Sequence, residues 1–195
     1  MKRADVKELH YITAIANVLS ILQRGILSHT RADQLDHDSV AMPEIQERRK
    51  NKQIPGARTL HEYANVYFDA HNAMLSKCRH RNNEICVLRV TPSVLDLPGV
   101  IVTDRNAASD WVSFRSVPDG LELIVVERLR ARYWTHPDPY DQMSHKSEKC
   151  AEVLVPEQVE PRFIIGAYVA SQTALATFEN LNSGLPVEIR EDIFF

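Results

Sequence analysis

Leu9-His10-Tyr11-Ile12-Thr13-Ala14-Ile15-Ala16-Asn17-Val18-Leu19-Ser20-Ile21-Leu22-Gln23-Arg24-Gly25 is the stretch on which the fold turns. Its first five residues are short, aromatic and β-branched, which predicts a strand. Asn17 then stands where an N-cap is wanted, before an apolar run from Val18 to Arg24 that Gly25 ends, so the chain opens strand, helix, turn. Working outward, Ala64–Phe68, Ile85–Val90, Val100–Thr103, Ala151–Val155 and Phe163–Ala170 read as strands. Ala73–Lys77 and Gln172–Leu181 read as helices, and Leu121, Ile124, Val125 and Leu129 fall at helical spacing. Strands and short helices intermingle without regular crossover helices, which favours an α+β fold over a doubly wound parallel sheet.

The 195 residues and 22.2 kDa suit one domain, so one site must carry the function. With 44% hydrophobic and 25% charged residues the chain is globular, not disordered, collagenous or membrane-embedded. A net charge of −3 excludes a protein that coats nucleic acid through bulk positive charge; any such contact needs a local patch. The run Tyr11–Leu22 is interrupted by Thr13, Asn17 and Ser20, so no signal peptide or membrane span is expected. Three cysteines, Cys78, Cys86 and Cys150, form no Cys-x-x-Cys pair and read as reduced thiols of a cytoplasmic protein. His71, Cys78, His80 and Cys86 lack the spacing of a zinc site, and no metal is expected.

Between Ser28 and Arg58 apolar residues thin out and charges dominate, down to the turn signal Pro55-Gly56. A connection of that length is expected to be partly helical and to act as a lid over a substrate, or else to be a solvated surface segment. Glycine-rich nucleotide loops and a Gly-x-Ser-x-Gly elbow are absent. His61-Glu62 lacks the second histidine of a zinc hydrolase, because Asn65 stands there.

Three segments, in order, resemble the DarT family of DNA ADP-ribosyltransferase toxins. The first is Tyr11-Ile12-Thr13 with Ile15, Asn17, Ile21-Leu22 and Gly25. The second runs Ile45-Gln46-Glu47-Arg48-Arg49, Pro55-Gly56, Leu60-His61-Glu62-Tyr63, Tyr67-Phe68 and Met74-Leu75. The third is Thr103-Asp104-Arg105, Tyr133-Trp134 and Ala151-Glu152-Val153-Leu154-Val155. The resemblance implies a single ADP-ribosyltransferase-like domain over residues 1–195, with a split central β-sheet and flanking short helices. Within it, 33–51 would be the NAD-binding element and 106–152 the substrate-presenting loop.

It also implies the chemistry: NAD⁺ as co-substrate, and transfer of ADP-ribose to a base of single-stranded DNA, thymine favoured and guanine second, with nicotinamide released. Arg49 and Glu152 are the implied catalytic pair, and His10, Tyr11, Ile12, Thr13, Asn17, Ser20, Arg49 and Tyr67 the implied cofactor contacts. Met74, Arg105, Asn106 and Tyr133 are the implied DNA contacts, and a macrodomain antitoxin of the DarG type is the implied partner. The physics agrees. The nicotinamide–ribose bond breaks through an oxocarbenium-like state, which a fixed carboxylate such as Glu152 stabilises. Arg49, always protonated, reads as a clamp on phosphates or acceptor; a share in deprotonating the base needs an unusual environment. Where relatives often read Tyr-His-Ile-Thr this chain reads His10-Tyr11-Ile12-Thr13, so either Tyr11 replaces the histidine as ribose contact or His10 reaches it by a local shift. Arg105 and Asn106 suit base edges or phosphate, and Tyr133-Trp134 suit base stacking or core packing. Arg48, Arg49, Lys50, Lys52 and Arg58, with Lys77, Arg79 and Arg81, are the candidates for one basic face. The alternatives are the same transfer to RNA or protein, or an inactive nucleic-acid-binding module with the same fold.

Overall fold

A computed structural model describes residues 1–195. In chain order the elements are β1 (Leu9–Ala14), α1 (Val18–Arg24), β2 (Ile26–Leu27), α2 (His29–Ala32), α3 (Pro43–Lys50), β3 (Tyr63–Tyr67), α4 (Ala73–Lys77), β4 (Ile85–Val90) and β5 (Ile101–Thr103). There follow β6 (Phe114–Ser116), α5 (Asp119–Glu122), α6 (Val126–Leu129), α7 (Pro139–Glu148), β7 (Glu152–Pro156), β8 (Gln158–Val159), β9 (Ile164–Val169), α8 (Gln172–Glu179) and β10 (Val187–Ile189). Eight strands form one sheet in the order β10-β9-β4-β1-β3-β7-β5-β6, and β2 pairs with β8 apart from it.

The sheet is pinched in the middle. Along one edge β1 pairs with β4 over its whole length, from Leu9↔Val90 to Ala14↔Ile85, but on its other edge it meets β3 at the single pair His10↔Tyr67. Beyond His10 the two strands diverge, and the inner edge of β1 faces a gap. This is the split that the fold reading expects, realised as one sheet joined at one residue pair.

Strand alternation sorts the two faces. Leu9, Leu88, Val66, Val153 and Ala167 point into a cluster of 29 buried residues shared with α1 and α8. The opposite face carries only smaller clusters, one around Ile12, Leu75, Val87 and Tyr168 and one around Ile54, Leu60, Tyr63 and Leu154. One face is therefore core, and the other has room for a cleft between its two clusters.

Local rules hold in some places and yield in others. α1 ends on Gly25, whose φ of 88° avoids the Cβ penalty of left-handed backbone. Asn17 occupies the N-cap position but makes no capping bond. Its side-chain amide instead donates to Asp38 O (2.8 Å) and Thr13 Oγ1 (3.2 Å), while Asp38 N donates to Asn17 Oδ1 (3.0 Å). Tertiary bonds to the 33–51 segment have displaced a local one, so Asn17 tethers that segment to β1. The helical spacing around 121–129 gives two single turns, α5 and α6. The 106–152 stretch is largely folded, holding β6, α5, α6 and α7. The cysteines are free and buried.

Candidate active site

β7 begins at Glu152 because Ala151 and Val153 belong to the core face; a period of two turns the carboxylate to the opposite face, across from Tyr67 in register. There it is fully buried, a position that an ionised carboxylate tolerates only when paired. Arg49, in the last turn of α3, supplies the pairing. Its Nη1 donates to Oε1 and Oε2 (both 3.1 Å) and its Nη2 to Oε2 (3.2 Å). The Ala107 N–H donates to Oε1 (2.8 Å). The Glu152 N–H donates to Thr103 Oγ1 (3.0 Å), which locks the strand end on β5. Burial opposes the charge on Arg49, but the Glu152 charge and hydrogen bonds outweigh it and hold the guanidinium above its ordinary range. Arg49 therefore stays protonated at neutral pH. Burial, reinforced by the Glu152 charge, keeps the Tyr67 phenol neutral well above its usual pKa.

This pair sits at a cleft of about 800 Å3 located at the pinch in the sheet. Tyr11, Ile12 and Thr13 of β1 and Tyr63, Asn65 and Tyr67 of β3 line its two walls. The unpaired inner edge of β1 opens into it, so main-chain groups beyond His10 are available to a ligand. The 37–49 segment with α3 forms a third side, and α4, the 105–111 segment and α7 complete it. Gln46 Oε1 and His61 Nε2 are buried there without partners. Burial, then the charges of His29 and Arg49, pulls the His61 pKa down to about 4, so the ring is neutral at pH 7.

Of the residues expected at the site, Tyr11, Ile12, Thr13, Asn17, Arg49, Tyr67, Met74, Arg105 and Asn106 line this cleft, and Glu152 is bonded to Arg49 behind it. His10, Ser20 and Tyr133 do not line it. The His10 ring is buried against Glu8, with Nε2 3.1 Å from Oε1, and lies beside Tyr168. Between the two aromatics it is thus Tyr11 that borders the cleft, although its side chain packs against the main core cluster, where burial pushes the phenol to about 12. Ser20 is on the exposed side of α1. Tyr133 is exposed elsewhere, and its neighbour Trp134 packs edge-on against Phe195. Arg58 pairs with Glu157 (2.7 Å) and Arg81 with Glu84 (2.9 Å); of the expected basic face only Arg48, Arg49 and Lys77 line the cleft, where Arg105 and Lys146 join them. Gln46, His61, Asn65 and Trp111 also line it without having been expected as site residues; Gln46 and His61 stood inside runs that carry the family resemblance.

Residues 10–195 match the family model described as ssDNA thymidine ADP-ribosyltransferase, DarT. The chain is 29% identical over 202 residues to a DNA ADP-ribosyl transferase–DNA ADP-ribosyl glycohydrolase fusion protein of Thermosipho africanus, covering 97% of this chain and 49% of the relative. The chain thus spans about half the length of that protein. A DNA ADP-ribosyl transferase of Thermus aquaticus is 26% identical over 205 residues, covering 96% of this chain and 88% of the relative. Among solved structures, Thermosipho africanus DarTG in complex with ADP-ribose superposes with a TM-score of 0.85 at 29% identity, over 97% of this chain and 51% of that one. Thermus sp. 2.9 DarT in complex with ADP-ribosylated ssDNA gives 0.82 at 24% identity with full coverage of both chains, and so shares the fold.

Proposed function

The chain belongs to the DarT family of ssDNA thymidine ADP-ribosyltransferases, and from that premise we propose that it transfers ADP-ribose from NAD⁺ to a thymine base of single-stranded DNA and releases nicotinamide. The observation that carries the reading is the buried Arg49–Glu152 pair at a cleft opened by the pinch between β1 and β3. The Thermus sp. 2.9 relatives, solved with NAD⁺ and with ADP-ribosylated ssDNA, support it.

Nicotinamide leaves a cationic glycoside as a neutral molecule, so its departure needs no acid. What develops is positive charge on the ribose. Glu152, rigid on β7, supplies a fixed negative charge and an acceptor for a ribose hydroxyl as that charge grows. The acceptor base gives up one proton to solvent as its new bond to the anomeric carbon forms. Arg49, held cationic, stabilises the negative charge that this deprotonation exposes and positions the base. In this assignment Tyr11, Ile12, Thr13, Asn17 and Tyr67 hold NAD⁺ with the 33–51 segment, which Asn17 anchors. Met74, Arg105 and Asn106 face the DNA.

We further assign the chain the role of a toxin countered by a macrodomain antitoxin of the DarG type, in keeping with the transferase–glycohydrolase fusion in Thermosipho africanus. No helix is long and apolar enough to cross a membrane. The cytoplasm, where NAD⁺ and DNA meet, is its proposed location.

The test is intact-mass analysis of thymine-bearing and thymine-free oligonucleotides after incubation with NAD⁺. Only thymine-bearing strands should gain one ADP-ribose, and Glu152→Gln should slow the gain by about 100-fold or more, the usual cost of removing such a stabilising group. Equal modification of thymine-free strands, or no modification of any strand, refutes the assignment.

A further inference from the structure

Three of the largest exposed apolar side chains, Trp111 (83% exposed), Tyr140 (82%) and Met143 (70%), all line the candidate cleft, which leaves bulky apolar groups in water at its mouth. Tyr140, Met143, Ser144 and Ser147 recur at helical spacing on α7, so one face of that helix borders the cleft. Trp111 comes from the 104–113 loop, which is fastened at many points. Arg48 donates to Ala108 O (3.0 Å), Lys52 to Ser109 O, Ala108 N to Asn106 Oδ1 (2.8 Å), and Ser113 N to Asp104 Oδ1 (2.8 Å). Asn106 N donates to Ser147 O (2.9 Å), which binds the loop to α7. A bulky aromatic held in water on a fixed backbone is preorganised for a flat partner, because little ordering remains to be done on binding.

We propose that Trp111, with Tyr140 and Met143, is a stacking platform for the base adjacent to the target nucleotide in the single-stranded DNA substrate. This rests on the functional reading above and assigns a specific part of the substrate to a specific surface. The Ala107 N–H bonds Glu152, and Trp111 lies four positions beyond Ala107 in the chain. Even fully extended, that chain reaches about 14 Å. The ring is therefore within reach of a neighbouring base and too close to serve a remote one. Charge selects the class of partner. Arg48, Lys77, Arg105 and Lys146 border the same cleft; Arg48 is paired with Asp110 (3.8 Å) and Arg105 with Asp104 (2.9 Å), which leaves Lys77 and Lys146 without a carboxylate, while the lining carboxylate Asp38 is taken by Arg81. An excess of cations beside exposed rings suits a strand that offers phosphates and π-faces together. Since the platform's loop also holds Glu152 and is held by α3, stacking there sets the position of the target base against the Arg49–Glu152 pair.

The experiment measures anisotropy of a labelled thymine-bearing oligonucleotide without NAD⁺, and transfer by mass with it. Abasic sites are placed in turn on either side of the thymine. Trp111→Ala should weaken binding about tenfold or more, the scale of one base–aromatic stack, while Trp111→Phe keeps most of it. An abasic site at one adjacent position should weaken the wild type by a similar factor and the Trp111→Ala variant no further. Wild-type binding by Trp111→Ala, or losses that multiply at both adjacent positions, overturns the platform. So does a Trp111→Ala variant that keeps its DNA affinity and loses affinity for a macrodomain antitoxin, which would make the rim a protein interface. If the wild type binds with the expected coupling but transfers nothing, the platform stands and the proposed reaction falls. Transfer with no effect of Trp111→Ala gives the reverse.

Discussion

Arg49 and Glu152 are 103 positions apart in the chain, and each alone would be a poor residue to bury. Together they hold four hydrogen bonds around one carboxylate, counting the Ala107 N–H. Such a pair is costly to break and far less costly to replace, since a lone buried charge lacks the compensation that a pair provides. Arg49→Met should therefore lower the unfolding free energy in urea by about 3 kcal/mol or more. The double variant Arg49→Met, Glu152→Leu should be more stable than that single variant, although it has no activity. A single variant as stable as the wild type would mean that the carboxylate does not depend on Arg49. The resemblance singled out both residues, but not their contact, which depends on how α3 is laid over β7. Likewise the exchange of His10 and Tyr11 could not be resolved from the sequence. The structure puts His10 in the one pair that joins β1 to β3, with its ring on Glu8, and puts Tyr11 where the gap begins, bordering the cleft with its side chain packed against the core.

At the level of elements, β1, β3, β4, β5, β7 and β9 were legible because each combines β-branched or aromatic residues with a buried face. α7 was missed. Its signal was present in Asp138-Pro139, an N-cap followed by a proline in the first turn, and Asp138 accepts from Tyr140 N (3.3 Å) and Asp141 N (3.2 Å). Without an apolar stripe to announce it, the cap alone was not read. β6 and β10, three residues each, have no fully buried residue to give them an apolar pattern and exist through their partners. Gly25 was read correctly as the end of α1, and the structure adds a second constraint. A Cβ built there would lie 2.4 Å from Val159 O, at the point where β2 and β8 pair. Gly25→Ala thus combines positive φ with a clash against backbone, and should lower stability by about 1–3 kcal/mol, read as a reduced urea midpoint at unchanged slope. No change in midpoint would show that the β2–β8 pairing moves aside freely.

The whole molecule depends on a second buried ion pair behind the site. Lys149 is fully buried, and its Nζ donates to Asp69 Oδ2 and to Leu129 O, both at 2.6 Å. Three elements distant in sequence, the turn after β3, the end of α6 and the approach to β7, are thereby fixed to one another just before Glu152. The two halves of the pair are not equivalent, since the Asp69 side chain retains 22% exposure and Lys149 none. Asp69→Asn strands a cation in the interior and should cost about 3–5 kcal/mol. Lys149→Met leaves a carboxylate that can turn to water and should cost less. Equal losses from the two variants would contradict this asymmetry. The cleft too belongs to the whole molecule, since it opens where the β1–β3 ladder is reduced to one pair.

By itself the sequence determined the fold class, most of the strands, and which arginine and which glutamate to examine. These follow from periodicity and from ordered motifs, which are properties of neighbours along the chain. Only the tertiary structure decided that Arg49 lies on Glu152, that Tyr11 rather than His10 borders the cleft, that Asn17 tethers the 33–51 segment, and that Trp111 stands at the rim. Each of these turns on strand register and on contacts across the sheet. Burial energy selects among such arrangements only once the whole chain is packed, and no local pattern encodes the choice.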